Sequence, residues 1–144
     1  MISTRTAAGV AVAIFAIGLA NSEVLAHGDV TPQPIDTTGL PPVGQDWLTE
    51  NPYRGNAKAI EIGASGYNQN CARCHGLDVI SGGIAPDLRY LEKGKEGDEW
   101  FIERIRHGKK NSEGTTLMPA FEGIFTQEAM WAIRAFLESK HEEN

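Results

Sequence analysis

The chain has 144 residues, 41% hydrophobic and 22% charged, with 13 Lys+Arg against 19 Asp+Glu for a formal net charge of -6. That acidity argues against nucleic acid as a partner, and the length suits one small domain with a modest core. The two cysteines, Cys71 and Cys74, stand too close together to close the substantial loop from which a structural disulfide draws its stabilisation.

The first residues read as an export signal. Arg5 supplies a positive charge, residues 7–20 form an apolar run too short to span a bilayer, and Val24 and Ala26 stand where a signal peptidase reads. Cleavage is expected after Ala26, with an uncleaved anchor as the alternative, and a periplasmic destination follows. The 118 residues that remain keep a net charge of -6 and hold no later apolar run long enough for a permanent membrane span.

Residues 27–55 carry Pro32, Pro34, Pro41, Pro42 and Pro52, which exclude regular helix and predict an extended arm. Ile35, Leu40, Val43, Trp47 and Leu48 suggest that the arm packs along the domain formed by residues 56–144, a mobile leader being the alternative. Asn56 is placed to cap a helix from Ala57, on which Ile60, Gly63, Ala64, Tyr67 and Cys71 share a face. Gly63 within that stripe points to close approach by another element.

Glycines, Pro86 and clustered charges make residues 76–97 a loop, with a short helix expected around residues 87–91. A second helix is predicted from Asp98 as N-cap, with Phe101, Ile102 and Ile105 as its stripe and Gly108 as its stop. Arg104, Arg106 and His107 suit its C-terminal dipole. Residues 109–122 lack periodicity and read as a loop. Thr126 then caps a last helix, to about Lys140, with Met130, Ile133, Phe136 and Leu137 facing inward. No strand-like alternation stands out, so the expected class is all-α.

Cys71-Ala72-Arg73-Cys74-His75 is the signature for covalent attachment of one haem c. Two thiols one helical turn apart can each add to a vinyl group on one porphyrin edge, and His75 can then offer its Nε2 to the iron. A thioredoxin-like dithiol would need a βαβ setting. A structural zinc would need two further ligands from His27, His107 and His141, and a copper brace at His27 lacks a second ligand. For the sixth iron position Met118 is favoured, because it lies in a loop before Pro119, whereas Met130 is explained as core and His107 by helix-end electrostatics. A Met/His pair closes the coordination sphere, which implies a single-electron carrier and no catalytic residues. A haem-based ligand sensor or haem enzyme with a displaceable distal ligand is the alternative.

Beyond the haem motif, residues 56–140 resemble a class I cytochrome c. The Gly63, Tyr67 and Cys71 pattern is similar to the family's first helix, Trp131 and Phe136 to aromatic positions of its last helix, and Leu117-Met118-Pro119-Ala120-Phe121 to its distal methionine segment. The resemblance implies three main helices around one covalent haem. Gly83-Ile84-Ala85-Pro86-Asp87-Leu88 resembles the loop whose proline carbonyl accepts from the proximal histidine, which gives Pro86 that role. By analogy Arg89 is assigned to a haem propionate, with a solvated surface arginine as the alternative. The Pro-rich arm and Asn51-Pro52-Tyr53-Arg54-Gly55 further resemble the c-550 cytochromes that serve quinoprotein alcohol dehydrogenases. This implies a pyrroloquinoline-quinone (PQQ) dependent alcohol dehydrogenase as electron donor and a terminal oxidase or another cytochrome as acceptor.

Overall fold

The computed structural model describes residues 31–143. The expected signal segment, its cleavage after Ala26, and His27 lie outside the described residues.

Helix α1 (Ala57–Asn70) begins where expected, with Asn56 Oδ1 accepting from Ala59 N at 3.1 Å and so meeting one of the donors a helix start leaves unpaired. Helix α2 (Ala72–His75) is the single turn that carries the haem motif, joined to α1 through Cys71. Helices α3 (Gly94–His107) and α4 (Gln127–Ser139) complete the fold, with short 3-10 turns at Leu77–Val79 and Leu88–Tyr90. Thr126 Oγ1 caps α4 by accepting from Ala129 N at 3.2 Å. The all-α expectation holds, with α1, α3 and α4 as the three main helices. Among the described residues no helix is long and apolar enough to cross a membrane.

The core forms around α4, where Met130, Trp131, Ile133 and Leu137 are completely or almost completely buried. Each such side chain contributes about 1.5–3 kcal/mol relative to exposure. α1 crosses α4 at Gly63, where a Cβ would stand 1.9 Å from the Ala132 carbonyl oxygen, so only a bare backbone fits. Beside that crossing the Tyr67 and Phe136 rings pack with centroids 5.4 Å apart at a tilt of 51°.

The buried stripe of α1 is broader than its periodicity suggested. Ala59, Ile62 and Gly66 are buried with Gly63 and Tyr67, while Ile60, Ala64 and Cys71 are only partly covered. The arm accounts for Gly66, since a Cβ there would meet Ile35 Cδ1 at 2.6 Å. Further along the arm, Gln127 Oε1 accepts from Leu48 N at 2.7 Å and its Nε2 donates to Asp46 O at 3.0 Å. Glu128 Oε1 accepts from Val43 N at 3.1 Å, and Tyr53, itself buried, donates its hydroxyl to Pro41 O. The described part of the arm is thus packed against the domain, with its Val43 and Leu48 N–H groups met by α4.

Two expectations are corrected. α3 starts at Gly94, not Asp98, and its N-cap Lys93 offers no side-chain bond. Glu138 of α4 supplies the missing acceptor by taking the Gly94 N–H at 3.1 Å. Asp98 is fully buried in the body of α3 and pairs with Arg134 Nε at 2.6 Å. Residues 109–122 also contain a small antiparallel ribbon, β1 (Lys109–Lys110) with β2 (Thr116–Met118), pairing Lys109 with Met118 and Lys110 with Thr116 across a bulge. Strands this short leave no alternation to read. Asn111 Oδ1 builds the turn by accepting from Glu113 N at 3.1 Å and Thr115 N at 2.8 Å.

Candidate haem site

The end of α1 delivers Cys71, and α2 places Cys74 and His75 within one turn of it, with His75 N bonded to Cys71 O at 3.0 Å. Cys71 is partly buried and Cys74 is exposed, and no disulfide joins them. Burial, with the Cys74 sulfur as a smaller contribution, pushes the Cys71 thiol up to about 12. That is opposite to what a redox dithiol requires. Among the described residues no three His, Cys, Asp or Glu side chains are grouped to hold a metal ion.

The loop after the motif aims a carbonyl at the imidazole. Gly76, at φ +87°, turns the chain so tightly that a Cβ would stand 1.8 Å from Ile80 O. Tyr67 donates its hydroxyl to Gly76 O at 2.8 Å, fixing that turn to α1. Val79 is buried at φ +68°, a costly conformation for a β-branched residue, and marks this loop as held under constraint. Further on, Asp87 caps the Leu88–Tyr90 turn, accepts from Ser81 N at 3.2 Å, and pairs with Arg89 Nη2 at 2.9 Å. The Arg89 hydrogen bond holds the Asp87 carboxyl down to about 2. With the loop so fixed, Pro86 O lies 2.9 Å from His75 Nδ1. Proline carries no N–H, so this contact presents only an acceptor, and the imidazole must place its proton on Nδ1 and leave Nε2 as a lone-pair donor. Nε2 has no partner among the described residues.

Met118 stands at the end of β2, partly buried against the core. His107 is accounted for elsewhere, with Glu103 at 2.9 Å from Nδ1 and Glu122 at 3.3 Å from Nε2. Arg89 spends Nε and Nη2 on Asp87 and Nη1 on Glu142 at 2.9 Å, so a propionate would have to share its donors. Neither Tyr67 nor Gly76 was singled out by sequence as shaping the loop, since Gly76 acts through its backbone angle and Tyr67 through a hydroxyl bond that only the folded turn brings within reach. The Pro86 contact was legible only through the family resemblance.

The surroundings fit a large apolar plate. Leu77 is 73% exposed, Ile84 79% and Ile80 55% in the segment after the motif, and Leu117 is 63% exposed beside Met118. Exposed bulky aliphatic side chains in the two segments that carry these donors are what a porphyrin would cover, and two thiols, an imidazole and a thioether match the chemistry by which a haem is attached and ligated.

The model for the cbb3-type cytochrome c oxidase subunit III family matches residues 58–137. Cytochrome c550 of Pseudomonas aeruginosa is 58% identical over 84% of this chain and 86% of its own. This chain belongs to the class I c-type cytochromes. As such the cytochrome carries one covalently bound haem c and is an electron-transfer protein rather than an enzyme. It is also similar to the quinohemoprotein alcohol dehydrogenase ADH-IIG of Pseudomonas putida, at 38% identity over 55% of this chain and 10% of that protein. A solved structure of ADHIIG from Pseudomonas putida HK5 matches 70% of the cytochrome and 14% of its own chain at 31% identity and a TM-score of 0.48. The cytochrome therefore spans about a tenth of the dehydrogenases it resembles.

Proposed function

We propose that this cytochrome is a periplasmic shuttle that takes single electrons from a PQQ-dependent alcohol dehydrogenase and hands them to a terminal oxidase or another cytochrome. The haem supplies a metal centre that changes oxidation state by one electron. The protein's own residues do the rest. Cys71 and Cys74 would hold the porphyrin through their sulfurs, His75 Nε2 and the Met118 sulfur would bind its iron, and Pro86 O, 2.9 Å from His75 Nδ1, would orient the ring. A haem held by an imidazole and a thioether would supply one-electron chemistry at a raised potential, and Met118 would keep reacting ligands from the iron. Arg89 meets a propionate only by sharing donors with Asp87 and Glu142.

The observation that carries this assignment is the 2.9 Å approach of His75 Nδ1 to Pro86 O, because it fixes the tautomer that frees Nε2. The likeness to quinohemoprotein alcohol dehydrogenases supports the donor, since a domain similar to this cytochrome forms part of such enzymes. In the oxidised holoprotein a sulfur-to-iron charge-transfer band is expected, and Met118→Ala should abolish it and lower the potential. A high-spin spectrum of the unaltered protein would favour the sensor or haem-enzyme reading. For the donor, purified quinoprotein alcohol dehydrogenases mixed with alcohol and the ferric cytochrome should reduce it within seconds. Failure of every such enzyme would remove that partner and leave the axial assignment standing.

A further inference from the structure

The end of α3 lies against the segment that carries Met118, and the closest contacts between them are made by backbone. Ile105 O and Arg106 O, among the carbonyls that a helix end leaves without an intrahelical partner, accept from Phe121 N at 2.9 Å and from Glu122 N at 3.3 Å. Just beyond the helix, Lys109 pairs with Met118 itself in the ribbon.

Between these two attachments stands Gly108. Its φ of +69° and ψ of -159° fall in a region that only glycine occupies without strain. A Cβ there would stand 2.4 Å from Met118 O, 2.8 Å from Ala120 N and 2.8 Å from Pro119 C. All three are backbone atoms, so turning a side chain could not relieve the clash.

Side chains extend the attachment. Arg106 grips Glu122 with two donors, Nε to Oε2 at 3.2 Å and Nη2 to Oε1 at 2.9 Å. From the arm, the Trp47 ring covers that guanidinium, with its centroid 4.0 Å from Cζ. Phe121 is 3% exposed and stacks on Phe125 with centroids 4.7 Å apart, so the far end of the segment is fixed in the core.

We infer that the C-terminal end of α3 is the anchor that keeps Met118 on the haem iron, with Gly108 and Arg106 as positioning residues. The inference rests on the assignment of Met118 to the iron and adds the reason a ligand from solution is refused. A sulfur held in place by the chain competes at a high effective concentration, and any loosening of its segment lowers that advantage. Whether the cytochrome stays closed is thus set by a helix that supplies no atom to the iron.

Imidazole is the probe. On the ferric iron it replaces the Met118 sulfur, one neutral donor for another, with no electron or proton moved. In Gly108→Ala its affinity should rise about tenfold or more, because displacing Met118 lets the segment move off the new methyl group. The sulfur-to-iron band should weaken in the same variant. Arg106→Gln breaks only the grip on Glu122 and should raise the affinity about threefold, and no rise there would remove Arg106 from the anchor. Gly63→Ala strains the α1–α4 crossing instead, and as the control for general destabilisation it should stay within about twofold of the unaltered protein. Absence of the sulfur-to-iron band from the unaltered protein would bring down the axial assignment and this inference together. A normal band, with Gly108→Ala behaving like Gly63→Ala, would bring down this inference alone.

Should Gly108→Ala yield no folded holoprotein, hydrogen exchange of the unaltered one decides. Coupling is reciprocal, so imidazole binding should speed exchange of the Phe121 and Glu122 amides about tenfold while leaving Ala129 N–H in α4 unchanged. Unchanged Phe121 and Glu122 amides would reject the anchor.

Discussion

The two sides of this cytochrome are finished to different degrees. Where the arm meets α3 and α4, the buried charges of Asp98 and Arg134 are paired within the protein. Asp98 and Arg134 are fully buried and paired at 2.6 Å, Asp98 Oδ2 also accepts from Asn51 N at 2.8 Å, and Arg54 reaches from the arm to both Asp98 and Glu138. Arg134 Nη2 donates to Glu92 O at 2.6 Å, and Gly97 leaves it room, since a Cβ there would stand 2.6 Å from that nitrogen. In the segments that carry the haem motif and Met118, by contrast, Leu77, Ile80, Ile84 and Leu117 stand exposed, and His75 Nε2 has no partner among the described residues. One side is closed by the protein's own electrostatics, and the other is left for the porphyrin to close.

The largest expected effect comes from denying the open side its cofactor. A haem-free Cys71→Ser/Cys74→Ser protein should lose native-like helicity and cooperative melting, because a domain of this size buries little apolar area without the porphyrin. Cooperative melting near the holoprotein's temperature would mean that the exposed aliphatic side chains close on one another instead.

On the closed side, Asp98→Asn leaves the Arg134 charge buried without its counter-ion and should cost about 3–5 kcal/mol, measured by denaturant unfolding of the holoprotein. Because Asp98 also holds Asn51 and Arg54, limited proteolysis within residues 43–55 should accelerate in the same variant. A stability loss with unchanged arm cleavage would separate the buried pair from the clamp.

At the crossing between the two sides, Gly63→Ala forces a methyl against the Ala132 carbonyl and should cost about 1–3 kcal/mol through overpacking, despite the better helix propensity of alanine. Unchanged thermal stability would show that the α1 and α4 backbones separate without penalty.

The smallest effect concerns the loop that carries Pro86. The Asp87 carboxyl, ordinarily at 3.8, is held down to about 2 chiefly by the hydrogen bond from Arg89. A carboxyl depressed in the folded state stabilises above its unfolded value, and that contribution is lost as pH falls from about 4 towards 2. Asp87→Asn should therefore flatten the acid limb of holoprotein stability over this interval. Identical acid limbs would mean that the Asp87–Arg89 pair contributes nothing to folding.

Local signals carried far in this chain where the cause is local. Asn56 and Thr126 cap their helices as read, because a cap needs only a side chain and an N–H three residues on. Gly108 ends α3 at φ +69°, a backbone angle that glycine adopts without a side-chain penalty. The start of α3 was misread because the acceptor for Gly94 N comes from Glu138, forty-four residues away. Asp98 looks like a cap in sequence for the reason any aspartate before a helical stripe does, and nothing nearby announces Arg134. The ribbon around Met118 escaped notice because strands of two and three residues have no period.

By itself the sequence determined the chemistry: two cysteines and a histidine at fixed spacing, a methionine in a proline-flanked segment, and helices with their own caps, all set by residues within a few positions of one another. Tertiary structure decided which charges would be buried together, how the arm would be clamped, and that Lys109 would pair across a ribbon with Met118. Those outcomes depend on groups far apart in the chain meeting at a distance of a few ångströms, and the free energy of burying or exposing a charge is defined only once its surroundings have assembled.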